Sequence, residues 1–197
     1  MKSVVCAAFA AAWLVVAAST ASAEPVGNAS AIIPAASQVP PQGTRSDLNL
    51  KDPIIRNAEL ATAENGALEV TFLDGSKLTM GQNSRLTVDE YVYAADSGAG
   101  KQTIRYTKGV FRFLSGSIPK DQVKIETPTV TIGIRGTILR ISQQDGGAGG
   151  VSVESGEVTV TSKKTNKVIV LEPGQMVTFD DDGIFEGITS GQIEGCQ

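Results

Sequence analysis

Between Leu68 and Phe179 apolar residues return at every second position, and nearly every such run is short and closed by a glycine. Leu68, Val70 and Phe72 precede the Asp74-Gly75 turn; Leu78 and Met80 end at Gly81; Phe111 and Phe113 precede Ser115-Gly116. The same rhythm recurs in Leu86 and Val88, Ile104 and Tyr106, Val123 and Ile125, and again in Val151 and Val153. Val158 and Val160, Val168 and Val170, and Val177 and Phe179 complete the series. A period of two with β-branched residues marks strands with one buried face. No stretch carries the 3.6-residue period of an amphipathic helix; Pro53 and Ile54-Ile55 leave room for a short helical turn at 53–61 and nothing longer. Glycine- and aspartate-rich residues 94–101 and 143–150 read as long loops.

A faint recurrence adds to this. Gly66, Gly109 and Gly156 are each followed by apolar residues two and four places on. Such a spacing suits strands that are buried only by their neighbours in a stack. The fold expected is all-β: a twisted β-solenoid-like stack of short strands, with a β-sandwich as the alternative.

The ends differ from the middle. Lys2, the uncharged apolar run from Val4 to Ala18 and the small residues Ala21-Ser22-Ala23 have the form of a secretory signal, so residues 1–23 are expected to be cleaved. That run falls short of the roughly 20 residues needed to span a bilayer. Residues 24–43, rich in alanine and proline, read as a disordered leader; 44–186 form the β domain and 187–197 a flexible tail. With Cys6 lost in the signal, Cys196 has no partner for an internal disulfide. The net charge of −4 becomes more negative when Lys2 is removed. An acidic chain offers no basic face to nucleic acid.

Histidine is absent, which removes the commonest general base and metal ligand. No Ser-His or Cys-His nucleophile can be assembled. Asp89-Glu90 are neighbours on a strand and point to opposite faces, and Asp180-Asp181-Asp182 before Gly183 reads as a solvated turn without the spaced ligands of a calcium loop. An enzyme, a cofactor and a metal are therefore not expected.

The segment from Thr127-Pro128 through Val130, Ile132, Gly133, Ile134, Arg135, Gly136 and Thr137 is the most distinctive. Arg135, close to two glycines, is expected to lock a corner by donating to nearby carbonyls; its removal would then cost about 1–3 kcal/mol in unpaired acceptors. The sharper alternative is a clamp on a carboxylate of a ligand. Tyr91 and Tyr93 share one strand face and are read either as core or as a binding surface.

These residues resemble a FecR domain. The resemblance is carried by Leu68 to Leu78 with its Asp74-Gly75-Ser76 turn, by Asp89-Glu90-Tyr91-Val92-Tyr93, and by Lys108-Gly109-Val110-Phe111-Arg112-Phe113. Above all it is carried by Thr127-Pro128 and Gly133, Arg135, Gly136 and Thr137; Glu172-Pro173-Gly174-Gln175 fits the closing segment. The resemblance implies a β domain on the outer side of the cytoplasmic membrane. In the best-known members it belongs to a transmembrane regulator that passes a signal from an iron-chelate transporter to a sigma factor. The sequence given shows no helical region of that kind, so the sigma-factor role is not carried over. The expectation is a periplasmic or secreted, non-catalytic module that engages another envelope protein. The alternatives are a self-associating structural or adhesive envelope protein, and a small-ligand or glycan binder using Tyr91, Tyr93 and the loop at 94–101.

Overall fold

The computed structural model describes residues 24–33 and 35–195. The expected signal segment and Cys196 lie outside them. The strands are β1 (Pro25–Ile33), β2 (Ala36–Val39), β3 (Ser46–Asp47), β4 (Pro53–Ile55), β5 (Glu59–Thr62), β6 (Ala67–Phe72) and β7 (Lys77–Met80). Then come β8 (Arg85–Ala94), β9 (Ala99–Leu114), a single 3-10 turn (Lys120–Gln122), β10 (Val123–Glu126), β11 (Val130–Gln143) and β12 (Gly149–Ser162). The last are β13 (Val168–Leu171), β14 (Gln175–Phe179) and β15 (Phe185–Ser190). The described residues contain no α-helix. The all-β expectation holds: all fifteen strands belong to one sheet, and that sheet does not close on itself.

The sheet folds into two arms because three long strands turn a corner. The first arm runs β3–β2–β5–β8–β9–β10–β11–β12–β13, and the second β4–β1–β6–β7–β9–β11–β12–β14–β15. β9, β11 and β12 give one half to each. At each corner sits a glycine of positive φ: Gly109 at 113°, Gly136 at 65° and Gly156 at 81°. The alternation changes parity there. Ile104 and Tyr106 are buried before Gly109, and Phe111 and Phe113 after it; Ile132 and Ile134 give way to Leu139 and Ile141. In β12, Val151 and Val153 give way to Val158 and Val160. An extra residue in left-handed conformation bends the strand and keeps apolar side chains on the inner face of both arms.

The arms enclose one core. Tyr106 of the first arm stacks on Phe111 of the second with ring centroids 4.0 Å apart, and Phe72 on Tyr91 at 5.5 Å. Such pairs add about 0.5–1.5 kcal/mol each beyond the area they bury.

The structure corrects several expectations. Residues 24–43 are not a disordered leader: β1 lies between β4 and β6, with Val26 and Ala29 buried, and Ala36 is buried in β2. Small side chains give a weak hydrophobic signal but allow close approach. A Cβ on Gly27 would lie 2.4 Å from the Thr71 carbonyl oxygen. The stretch at 53–61 holds β4 and the start of β5 in place of a helical turn. The two expected loops are mostly hairpin: Ala94 pairs with Ala99, and Gln143 with Gly149. At the far end β15 reaches into the expected tail, and Ile193 is pinned by its N–H to Ser152 Oγ at 3.1 Å and its carbonyl to Arg140 at 3.1 Å.

Candidate interaction surface

Asp74 leaves β6 at a turn completed by Gly75, whose φ of 80° only glycine adopts without strain. The Asp74 side chain then points inward and is 3% exposed. Its Oδ1 accepts from the Ser76 hydroxyl at 2.6 Å, the Ser76 N–H at 3.2 Å and the Tyr91 hydroxyl at 3.2 Å. The Asp74 N–H returns a bond to the same tyrosine oxygen at 2.8 Å. Its main-chain carbonyl accepts from the Ser117 N–H at 2.9 Å. One residue thus joins the β6–β7 turn, β8 of the facing arm and the loop after β9. Burial, and then the Asp74 charge, push the Tyr91 hydroxyl well above its ordinary range.

Tyr91 is therefore core, not binding surface. A bulge between Val88 and Glu90 sets the parity that turns it inward, and Tyr93 packs partly buried against the same core. The neighbouring acids stay outside: Asp89 pairs with Arg105 at 2.8 Å and Glu90 with Lys101 at 3.0 Å. Asp180 and Asp181 cap backbone N–H groups of two adjoining turns, and Asp182 pairs with Lys164 at 2.8 Å. No group of three potential metal ligands occurs among the described residues.

The Thr127–Thr137 segment separates into parts with different work. Thr127 Oγ1 accepts from the Val130 N–H at 3.0 Å and fixes the turn in which Pro128 sits exposed. Thr137 is buried and exchanges bonds with Ser115: its N–H donates to Ser115 Oγ at 3.2 Å and its carbonyl accepts the Ser115 N–H at 3.1 Å. Gly136 is needed for its φ. Gly133 is not: it lies in ordinary extended backbone on the outer face, where a Cβ would come no closer than 4.0 Å to Thr159.

Arg135 does not lock the corner. Its side chain is 78% exposed and meets only the half-exposed Glu157, at 3.5 Å. The bulge that accommodates Gly136 turns residue 135 outward, away from the carbonyls. Exposed pairs of this kind contribute about 0.2–1 kcal/mol. Arg135→Ala should therefore lower the unfolding free energy from urea titration by no more than about 1 kcal/mol. A loss of several kcal/mol would restore the clamp.

A stronger ionic group escaped the spacing argument. Glu154 receives Arg112 through Nε at 3.1 Å and Nη2 at 3.0 Å, and Arg140 through Nε at 2.6 Å, on the outer face of the second arm. Arg112 and Arg140 are direct cross-strand partners, which sequence distance conceals. The hydrogen bond from Arg112 holds the Glu154 carboxyl below its usual value of 4.5, partial burial opposes it, and Arg140 lowers it further. A carboxyl with a depressed folded value stabilises above the unfolded value and loses that contribution as pH falls through the folded one. Stability should thus decline below about pH 4.5 in part through Glu154, with Glu154→Gln showing a flatter acid limb in urea unfolding. Parallel acid limbs for the two proteins would assign the decline elsewhere.

Four exposed aliphatic side chains lie where the arms end. Val168 (55%) and Val170 (48%) lie on β13, Ile188 (49%) on β15, and Ile184 just before β15. β13 and β15 are the last strands of the two arms, each paired on one side only.

Comparison with known proteins agrees with this architecture. A family model described as "FecR protein" matches residues 58–159, from just before β5 to the outer half of β12, and so takes in all three corner glycines. Two crystal structures of a "putative anti-sigma factor" from Parabacteroides distasonis ATCC 8503, at 1.65 and 2.50 Å resolution, are similar with a TM-score of 0.52. They share 17% identity with this chain over 68% of its length and 60% of theirs, a likeness of fold. The chain thus spans 60% of the solved protein it matches. No curated protein matches it.

Proposed function

The chain belongs to the FecR family, and from that premise we propose that it is an exported, non-catalytic sensing module that binds another protein of the cell envelope. The observation that carries this reading is the family match across the corner strands, in a fold shared with a protein described as an anti-sigma factor. The sheet ends add a physical means of binding: the terminal strands β13 and β15 carry exposed aliphatic side chains and an edge that no strand pairs among the described residues. Residues 1–23, patterned for export, support a position outside the cytoplasmic membrane. The periplasm, or the exterior, is the compartment proposed.

Cross-linking in intact cells that express the chain at its natural level tests this reading. One envelope protein should be recovered reproducibly, with its cross-links mapping to the sheet ends. Recovery of nothing above a mock background would overturn the proposal. Recovery of the chain alone would favour the self-associating alternative.

A further inference from the structure

The two arms are unequal in length. Outward from the shared strand β12, the first arm has β13 and stops, whereas the second has β14 and then β15. β15 therefore has no strand facing it. The segments that flank it meet the segments that flank β13. Asp182, in the turn before β15, pairs with Lys164 of the β12–β13 hairpin, and the Gly191 N–H donates to the Gly174 carbonyl, between β13 and β14, at 3.0 Å, one step beyond the Gln175–Ser190 pair of β14 and β15. Ile188 pairs across the sheet with the buried Val177, which puts it on the inner face, yet it is half exposed. Ile169, facing inward from β13, is likewise only partly covered.

The edge above this shelf is chemically open. The Ser162 N–H donates to the Lys167 carbonyl at 3.0 Å. Alternation along an antiparallel ladder then directs the N–H and C=O of Val168 and Val170 away from β12. Among the described residues no strand pairs on that side. Lys167 before the strand and Glu172 after it make no ion pair among the described residues.

We propose that β13 and β15 form a slot one strand wide. It takes an extended segment of a partner polypeptide, apolar where it faces Ile169 and Ile188, acidic beside Lys167 and basic beside Glu172. This deepens the interaction reading above and rests on it. The added segment extends the first arm by backbone hydrogen bonds and covers the shelf. A second copy of this chain does not fit: paired through β13, it would bring its own β14 into the place β15 already fills. The slot admits a lone strand and excludes a folded two-layer edge.

The probe is a capped peptide, Lys-Val-Thr-Val-Thr-Asp, whose order matches antiparallel pairing with β13 from Glu172 to Lys167. At millimolar peptide, amide exchange at Val168 and Val170 of the purified chain should slow about tenfold. A peptide with lysine at both ends should bind more weakly. Val170→Pro removes only a donor on the free side, so it should abolish the protection while the melting temperature stays near the parent value. Ile188→Asp should weaken binding independently by spoiling the shelf. Unchanged exchange at both valines, or equal binding by Val170→Pro, would overturn the slot. So would protection that appears on concentrating the chain without peptide. An envelope protein that cross-links equally to the parent and to Val170→Pro would refute the slot and leave the interaction reading standing.

Discussion

Replacing Gly156 with alanine should destabilise the protein by roughly 3–5 kcal/mol, the largest effect expected of a single methyl group in this fold. Two terms add. Gly156 holds a φ of 81°, where an L-residue is strained by about 1–2 kcal/mol. Its new Cβ would also lie 1.9 Å from the carbonyl oxygen of Gly136. That obstacle is backbone, at the corner of the adjacent strand, and cannot rotate aside like a flexible side chain. Relief requires the β11 and β12 corners to move apart, which strips hydrogen bonds from both arms. For a chain of this size each kcal/mol lowers Tm by about 2–4 °C, so a drop of about 6–20 °C is expected in a thermal melt. Gly133→Ala is the control: that position has space and ordinary backbone, and its Tm should barely move. Equal Tm values for the two variants would show that the corner does not need its glycine.

Asp74→Ala should cost about 3–5 kcal/mol for a different reason. The substitution removes the acceptor of the Ser76 hydroxyl, the Ser76 N–H and the Tyr91 hydroxyl, and leaves these groups buried. Each orphaned buried donor costs about 1–3 kcal/mol, reduced by whatever water can enter. Asp74→Asn keeps one acceptor oxygen and should fall between the parent and alanine. Urea unfolding of the three proteins checks the order. Similar midpoints for alanine and parent would mean that the turn alone, without the cross-arm bonds, holds this region.

The strands from Ala67 to Phe179 were legible because burial on one face imposes a period of two that survives in the residue order. The corners were half legible. Gly109 and Gly156 stood out as recurring glycines, but the parity change around them was not read, although Tyr106 and Phe111 are an odd number of positions apart. In the residue order Gly136 looks like one motif with Gly133 and Arg135, whereas only Gly136 answers to a backbone demand. Asp74 was read as a turn residue, since nothing local announces that Tyr91 and the loop around Ser117 converge on it. The same holds for Glu154, whose partners come from β9 and β11. At the other end, Ala29 and Ala36 looked like leader composition because a small side chain carries little hydrophobic signal even when it is fully packed.

Placing β1 inside the second arm has a consequence for biosynthesis. Ribosomes deliver this strand well before its neighbours: Gly27 pairs with Ile54 on one side and with Phe72 on the other. Until those segments emerge, a nascent ribbon with two bare edges must wait, and any helper that guards unfolded chains against premature clumping would find its target there.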